Sequence, residues 1–223
     1  MNTETFARGF VRRNRAAGSH VFTLPEGEFV VDEGVYSPAV FNSDACFYAE
    51  QIPVPAGGSV LEIGCGVGLI ALTAAKRGAS AVLATDINAA AVDNCRTNAE
   101  KHGLSHIVTA RVSDVFSAVA AEECFDLIFW NCPYFAGQRN EADPLECSVF
   151  DPAYESIGRY LRDARAHRSP QGRVMISFSK TVGDRPLLEQ RAQEAGASLS
   201  VFRTHEHLGG KWVLEILEVT YGL

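Results

Sequence analysis

Val60-Leu61-Glu62-Ile63-Gly64-Cys65-Gly66-Val67-Gly68 is a short apolar run that ends in three alternating glycines. The run is too short for a helix and reads as a buried strand. Leu69 to Arg77 follows at helical spacing and stops at Gly78. A strand, a glycine turn and a helix form the unit with which open parallel sheets receive ligands at their strand ends. Glycine permits both the tight turn and a close approach of backbone to ligand. The dinucleotide fingerprint requires Gly-x-Gly-x-x-Gly, and its last position here is Leu69. That disfavours a nicotinamide-dependent dehydrogenase.

Moving outward, Ala81 to Thr85 is a second strand-like run ending in Asp86, and Asn88 is placed to cap a helix reaching Lys101 before Gly103. Ile107–Val112 and Phe125–Trp130 read as further strands, residues 152–167 as a helix, Arg173–Phe178 as a strand and Pro186–Ala195 as a helix. Two final strands, Ser198–Arg203 and Trp212–Thr220, are joined without a helix and must therefore be antiparallel to each other. Alternating strands and helices, with the strands apolar throughout, predict an α/β fold: a doubly wound, mostly parallel sheet covered on both faces. Upstream, Val21–Leu24 and Glu28–Val31 flank Pro25-Glu26-Gly27 as a hairpin, and a helix is expected over about Ser43–Gln51. The simplest partition is an N-terminal arm, hairpin and helix over 1–52, covering the site, and a catalytic domain over 53–223.

The chain has 223 residues, 47% of them apolar, and a net charge of −7. No apolar stretch is long enough to cross a membrane. An acidic chain lacks the broad basic field that drives nonspecific binding to phosphate backbones, so a nucleic-acid partner is disfavoured. The six cysteines (46, 65, 95, 124, 132 and 147) are scattered without metal-ligand spacing, which points to reduced thiols and a cytoplasmic setting. No secretory signal is visible. Arg8, Arg12, Arg13 and Arg15 belong to a frayed or helical basic arm.

Two more acids follow strands. Asp86 can accept hydrogen bonds from ribose hydroxyls. Asp114, in Ser113-Asp114-Val115-Phe116, can accept from an adenine amino group while Val115 packs on the ring. The glycine stretch, Asp86-Ile87-Asn88 and Ser113-Asp114-Val115-Phe116, in this order and spacing, resemble the class I S-adenosylmethionine-dependent methyltransferases. The resemblance covers about residues 55–220. It implies a seven-stranded sheet with the last strand antiparallel and S-adenosyl-L-methionine as cofactor. It further implies that Gly64, Cys65, Gly66 and Gly68 pass under the methionine part. Glu62 would order that loop and the cofactor's amino end, Asp86 with Ile87 would hold the ribose, and Asp114 with Val115 would face the adenine.

After the fourth strand comes Asn131-Cys132-Pro133-Tyr134-Phe135, at the same sheet edge as the glycines. An asparagine carbonyl accepts a hydrogen bond from a planar amino group. Proline forces a turn that can aim a second backbone carbonyl at the same group. Such paired acceptors turn the nitrogen lone pair toward a methyl donor and stabilise the developing positive charge. Tyr134 offers a flat face. The stretch resembles the Asn-Pro-Pro-Tyr motif of amino-methyltransferases acting on glutamine of release factors (the HemK type), adenine amines and guanine amines of ribosomal RNA. Cys132 replaces the first proline. Asn131, Pro133 and Tyr134 are thus the candidate catalytic residues. Gly34-Val35-Tyr36-Ser37-Pro38 resembles the segment that covers the cofactor in HemK-type enzymes, which adds Tyr36 and Pro38 to Tyr134 and Phe135 as substrate-binding candidates.

Arg139, Glu141, Asp143, Glu146 and Asp151 form an acidic stretch. It is either solvated surface or a lid whose net −3 suits an amine, a guanidinium or a neutral amide. His205-Glu206-His207 reads as an exposed loop rather than a metal site, since no third ligand is evident. Trp130 and Trp212 read as core. The expected function is N-methylation of an amine- or amide-bearing small molecule or protein side chain. The alternatives are an exocyclic amine of RNA or DNA, O-methylation of a small molecule, and a methyltransferase-like subunit without chemistry.

Overall fold

The computed structural model describes residues 3–41, 44–207, 209 and 212–222. Seven strands form one sheet: β3 (Ser59–Ile63), β4 (Ala81–Asp86), β5 (Val108–Val112), β6 (Phe125–Trp130), β7 (Arg168–Ser179), β8 (Ala197–His207) and β9 (Trp212–Tyr221). Their order is β5-β4-β3-β6-β7-β9-β8. The pairs from β5 to β7 are parallel, and β9 runs antiparallel to both β7 and β8. The chain order therefore reverses between β3 and β6, the place where such sheets open a crevice at their strand ends.

Alternating residues of each strand face opposite layers. Val60, Val82, Leu127 and Phe129 pack toward α2 (Asp44–Gln51), α3 (Leu69–Lys76) and α4 (Ala89–Lys101). Leu61, Leu83, Ile128 and Trp130 pack toward α6 (Glu155–His167) and α7 (Arg185–Glu194). Both faces are thus dry, which explains why the strands read as continuous apolar runs. As expected, Asn88 caps α4 by accepting from Ala90 N at 3.1 Å.

The hairpin of β1 (His20–Leu24) and β2 (Gly27–Val31) forms its own two-stranded sheet. Two buried asparagines one turn apart on α4 hold it. Asn94 bonds Val30 O and Asp32 N, and Asn98 bonds Val30 N, Val30 O and Val67 O. Asn98 thereby ties the hairpin to the glycine turn.

Of the two forms expected for the basic arm, frayed or helical, it takes the helical one, α1 (Thr3–Ala17), and its residues dock on the domain. Its stripe Ala7, Phe10, Val11 and Asn14 is buried at the i, i+3, i+4, i+7 spacing of one helix face. Strand β7 begins five residues before Arg173, and β8 runs to His207. His205-Glu206-His207 therefore lies in a strand rather than a loop, and the His205 ring stacks on Phe47 at 4.9 Å. Ladder pairing with β9 outweighs the polar composition there. The segment 152–154 is a 3-10 turn ahead of α6. Start positions of the predicted helix at Ser43 lie outside the described residues. No helix among the described residues is long and apolar enough to cross a membrane, and the six cysteines carry unbridged thiols.

Candidate active site

One cleft opens at the carboxyl ends of β3, β4 and β6 and encloses about 1580 Å³, its open mouth included. Glu62, Gly64, Cys65, Gly66, Asp86, Ile87, Asp114 and Val115 line one part of it. Asn131, Pro133, Tyr134, Phe135, Tyr36 and Pro38 line the other. Gly68 does not reach the cleft. It stands at the N-cap of α3 with φ +83°, in the left-handed region, and a Cβ there would lie 2.7 Å from Cys95 Sγ. At Gly64, with φ +67°, a Cβ would meet Trp130 Nε1 at 2.8 Å.

The glycine turn is fixed by backbone donors and two carboxylates. Cys65 N donates to Thr85 O at 2.9 Å. Asp86 accepts from Gly66 N through one oxygen and from Asn88 N through the other, both at 2.9 Å. Its burial raises its pKa, against the pull of those N–H groups. Glu62 accepts from Ala71 N at 2.8 Å, which satisfies one orphan donor of the first turn of α3. Its second oxygen has no donor among the described residues. Burial holds the Glu62 carboxyl well above the usual range; the Cys95 thiol and the Asp86 charge add to this, and the Ala71 N–H opposes it.

A partner not foreseen from the sequence sits at Asp114. Arg159 of α6 clamps both its oxygens at 2.7 and 2.8 Å. Val115, beside it, has φ +52°. Asn88 reaches across to Gly34 O at 3.1 Å, which fixes the stretch bearing Tyr36 and Pro38 above the turn.

At the other end, Asn131 Oδ1 accepts from Tyr134 OH at 3.0 Å and from Ser177 Oγ at 2.8 Å. Tyr134 OH also lies 2.6 Å from the hydroxyl of buried Tyr48. Cys132 is buried, its N donating to Ser177 Oγ and its thiol to Ser177 O, both at 3.1 Å. Burial pushes that thiol's pKa far up, so it is no thiolate nucleophile. Phe10 of α1 and Trp212 of β9 also line this end, and neither was foreseen as part of a site. The indole N–H of Trp212 is buried without an acceptor among the described residues.

The acidic stretch, which includes the short helix α5 (Pro144–Cys147), proves to be a wall of the cleft through Arg139, Cys147, Ser148 and Val149. Its acids are matched rather than bare. Glu141 pairs with Arg139, Asp143 with Arg15, and Glu146 with Arg8. Asp151 accepts from Ser156 N and Ile157 N. The arginines of α1 are what the composition of the loop alone could not reveal.

The methyltransferase small domain family profile matches residues 26–198, more than half of the chain. The chain belongs to this family. It is a domain of the S-adenosylmethionine-dependent class I methyltransferase fold. A release factor glutamine methyltransferase of Cereibacter sphaeroides is 34% identical over 138 residues, covering 56% of this chain and 48% of the relative. A ribosomal RNA small subunit methyltransferase C of Haemophilus influenzae is 31% identical over 144 residues, covering 64% and 39%. The chain thus spans about half or less of these relatives. Among solved structures, the T. thermophilus 16S rRNA N2 G1207 methyltransferase, in complex with AdoMet and guanosine, aligns at TM-score 0.62 with 21% identity. That alignment covers 92% of this chain and 50% of the other.

The site fits the family's cofactor. The glycine turn lines the cleft without side chains at Gly64 and Gly66, and Glu62, which also lines it, keeps one carboxyl oxygen without a donor among the described residues, placed to meet an ammonium.

Proposed function

We propose that the chain transfers a methyl group from S-adenosylmethionine to the nitrogen of a neutral, planar amide or amine, on a small molecule or a protein side chain. The observation that carries this reading is the meeting of Asn131 and the 64–66 turn in one cleft. The bound cofactor supplies an electrophilic sulfonium methyl. Glu62 offers an anionic oxygen to its ammonium. Asp86 keeps lone pairs for hydroxyls beyond the two backbone N–H groups it already serves. Asn131 offers the carbonyl that draws an acceptor's N–H aside, and Tyr134 and Phe135 flank the acceptor plane. When bound, the cofactor would give up its methyl by direct displacement and leave as a neutral thioether, and the methylated nitrogen would pass one proton to solvent at the open mouth of the cleft.

The paired acids of 139–151 support a neutral acceptor over a charged amine, because little bare negative charge remains to attract a cation. The glutamine-methylating relative agrees with such an acceptor. A second reading, an exocyclic amine of RNA, is favoured by the ribosomal RNA relative.

The test is transfer of labelled methyl from S-adenosylmethionine to a release-factor peptide bearing glutamine, to small amides and amines, and to a ribosomal RNA fragment. Asn131→Ala is expected to lower transfer by about 10²–10³-fold, as loss of one preorganised polar group does, with the cofactor's dissociation constant unchanged. Transfer confined to RNA selects the second reading. Undiminished transfer by Asn131→Ala defeats both.

A further inference from the structure

A side-chain amide can serve as an acceptor only if its oxygen is held in place. Rotation by 180° about the last bond would present N–H groups instead. In Asn131 the choice is made by one neighbour, Ser177, which lies 46 residues away on β7 and is fully buried. The register explains how they meet. Trp130 of β6 pairs with Ile176 of β7, so the next residue on each strand falls side by side at the cleft.

The hydroxyl of Ser177 has two partners among the described residues. It receives the N–H of Cys132 at 3.1 Å and lies 2.8 Å from Asn131 Oδ1. Cys132 N–H takes one of the hydroxyl's two lone pairs, and the hydroxyl's own hydrogen is directed at Asn131 Oδ1, its other partner. Were the amide flipped, the second lone pair would accept from it and that hydrogen would be left without an acceptor among the described residues, which is costly in a buried site. Tyr134 does not discriminate in this way. Its hydroxyl contacts both Asn131 and Tyr48, so it can turn its hydrogen to either. Ser177 is thus the fixed partner and Tyr134 the exchangeable one, able to vacate a lone pair of Asn131 when an acceptor's N–H arrives.

The departure at 132 takes on a meaning here. A proline has no N–H to give. The cysteine supplies one, and that N–H sets the direction of the Ser177 hydroxyl. We infer that Ser177, keyed by the backbone N–H of Cys132, is the positioning residue that fixes the carbonyl of Asn131 for the acceptor. This rests on the reading of Asn131 given under Proposed function.

The test uses the full chain labelled with ¹⁵N-asparagine, the Asn131 amide signal being assigned as the one lost in Asn131→Ala. In the native chain its side-chain order parameter is expected to match those of the buried Asn94 and Asn98 amides, and in Ser177→Ala to fall well below them. The amides of buried Asn94 and Asn98 should stay rigid in both, which separates a local effect from general loosening. Ser177→Cys, nearly isosteric and a weak donor, is expected to loosen Asn131 as well; Ser177→Thr, which retains the hydroxyl, is expected to restore it. An Asn131 amide as rigid in Ser177→Cys or folded Ser177→Ala as in the native chain overturns the inference. Any acceptor the native chain methylates is expected to react about 10- to 100-fold more slowly with Ser177→Ala, at unchanged cofactor affinity; equal rates also overturn it. Calorimetry with S-adenosylmethionine on the same samples separates the two levels. A native chain that binds none defeats the methyl-transfer reading, whereas the order parameters judge the hold of Ser177 on Asn131.

Discussion

Glu62→Gln should make the protein more stable and a worse cofactor binder at once. Glu62 is 2% exposed, forms no ion pair among the described residues, and receives one backbone donor, Ala71 N at 2.8 Å. Burial, the Cys95 thiol and Asp86 hold its pKa well above the ordinary value. Between the unfolded pKa, about 4.3, and this raised folded value, the folded chain binds more protons than the unfolded one. Stability therefore falls as pH rises through that window. Glutamine keeps a carbonyl for Ala71 and removes the buried charge. Its stability advantage should be present at pH 8 and fade as pH falls toward 4. Binding should change the other way. One charge-assisted hydrogen bond to an ammonium is worth about 1.5–3 kcal/mol, so the S-adenosylmethionine dissociation constant should rise about 10- to 150-fold. Urea denaturation at several pH values and titration calorimetry read the two quantities. Calorimetry of the native chain in buffers of different ionisation enthalpy should also show proton release on binding within that same window, since a cation favours the ionised carboxylate. A variant that is less stable at pH 8 yet binds the cofactor as tightly as the native chain would refute the reasoning.

Gly68→Ala should destabilise the fold. A left-handed φ of +83° costs a non-glycine residue roughly 1–3 kcal/mol, and the contact at 2.7 Å with Cys95 Sγ adds overpacking of about the same size; chemical denaturation measures the sum. Asn98→Ala should release the β1–β2 hairpin before the sheet opens, because Val30 N and Val67 O lose their partner, at about 1–3 kcal/mol for each group left unsatisfied, while Val30 O keeps the Asn94 amide. Amide exchange at Val30 should quicken far more than exchange at Leu61 in β3.

The donor half of the site was legible because its signals are local. The glycines, Glu62 and Asp86 stand at turn positions that strand-and-helix punctuation locates, and Asn131 stands at a strand end. What could not be read is held by pairing across the chain. Arg159 reaches Asp114 over 45 residues, Ser177 reaches Asn131 over 46, and Arg15 reaches Asp143 over 128. No periodicity in one segment encodes a partner in another. The docking of α1 escaped notice for a related reason: the arginines at 8, 12, 13 and 15 drew attention to charge, while Ala7, Phe10, Val11 and Asn14 form the buried stripe. The polar composition of 204–207 likewise hid the reach of β8, whose ladder with β9 carries it to His207.

The aromatic cluster joining α1 to Phe135, Val149 and Phe150 has a consequence for how such a domain can diversify. The far wall of the cleft is built from a terminal helix and one connecting loop, neither of which supplies a strand to the central sheet. Exchanging those two pieces together, with their arginines and acids kept in register, would reshape the chamber for a new acceptor. The machinery that grips the methyl source, braced by β3, β4 and α4, would be left undisturbed.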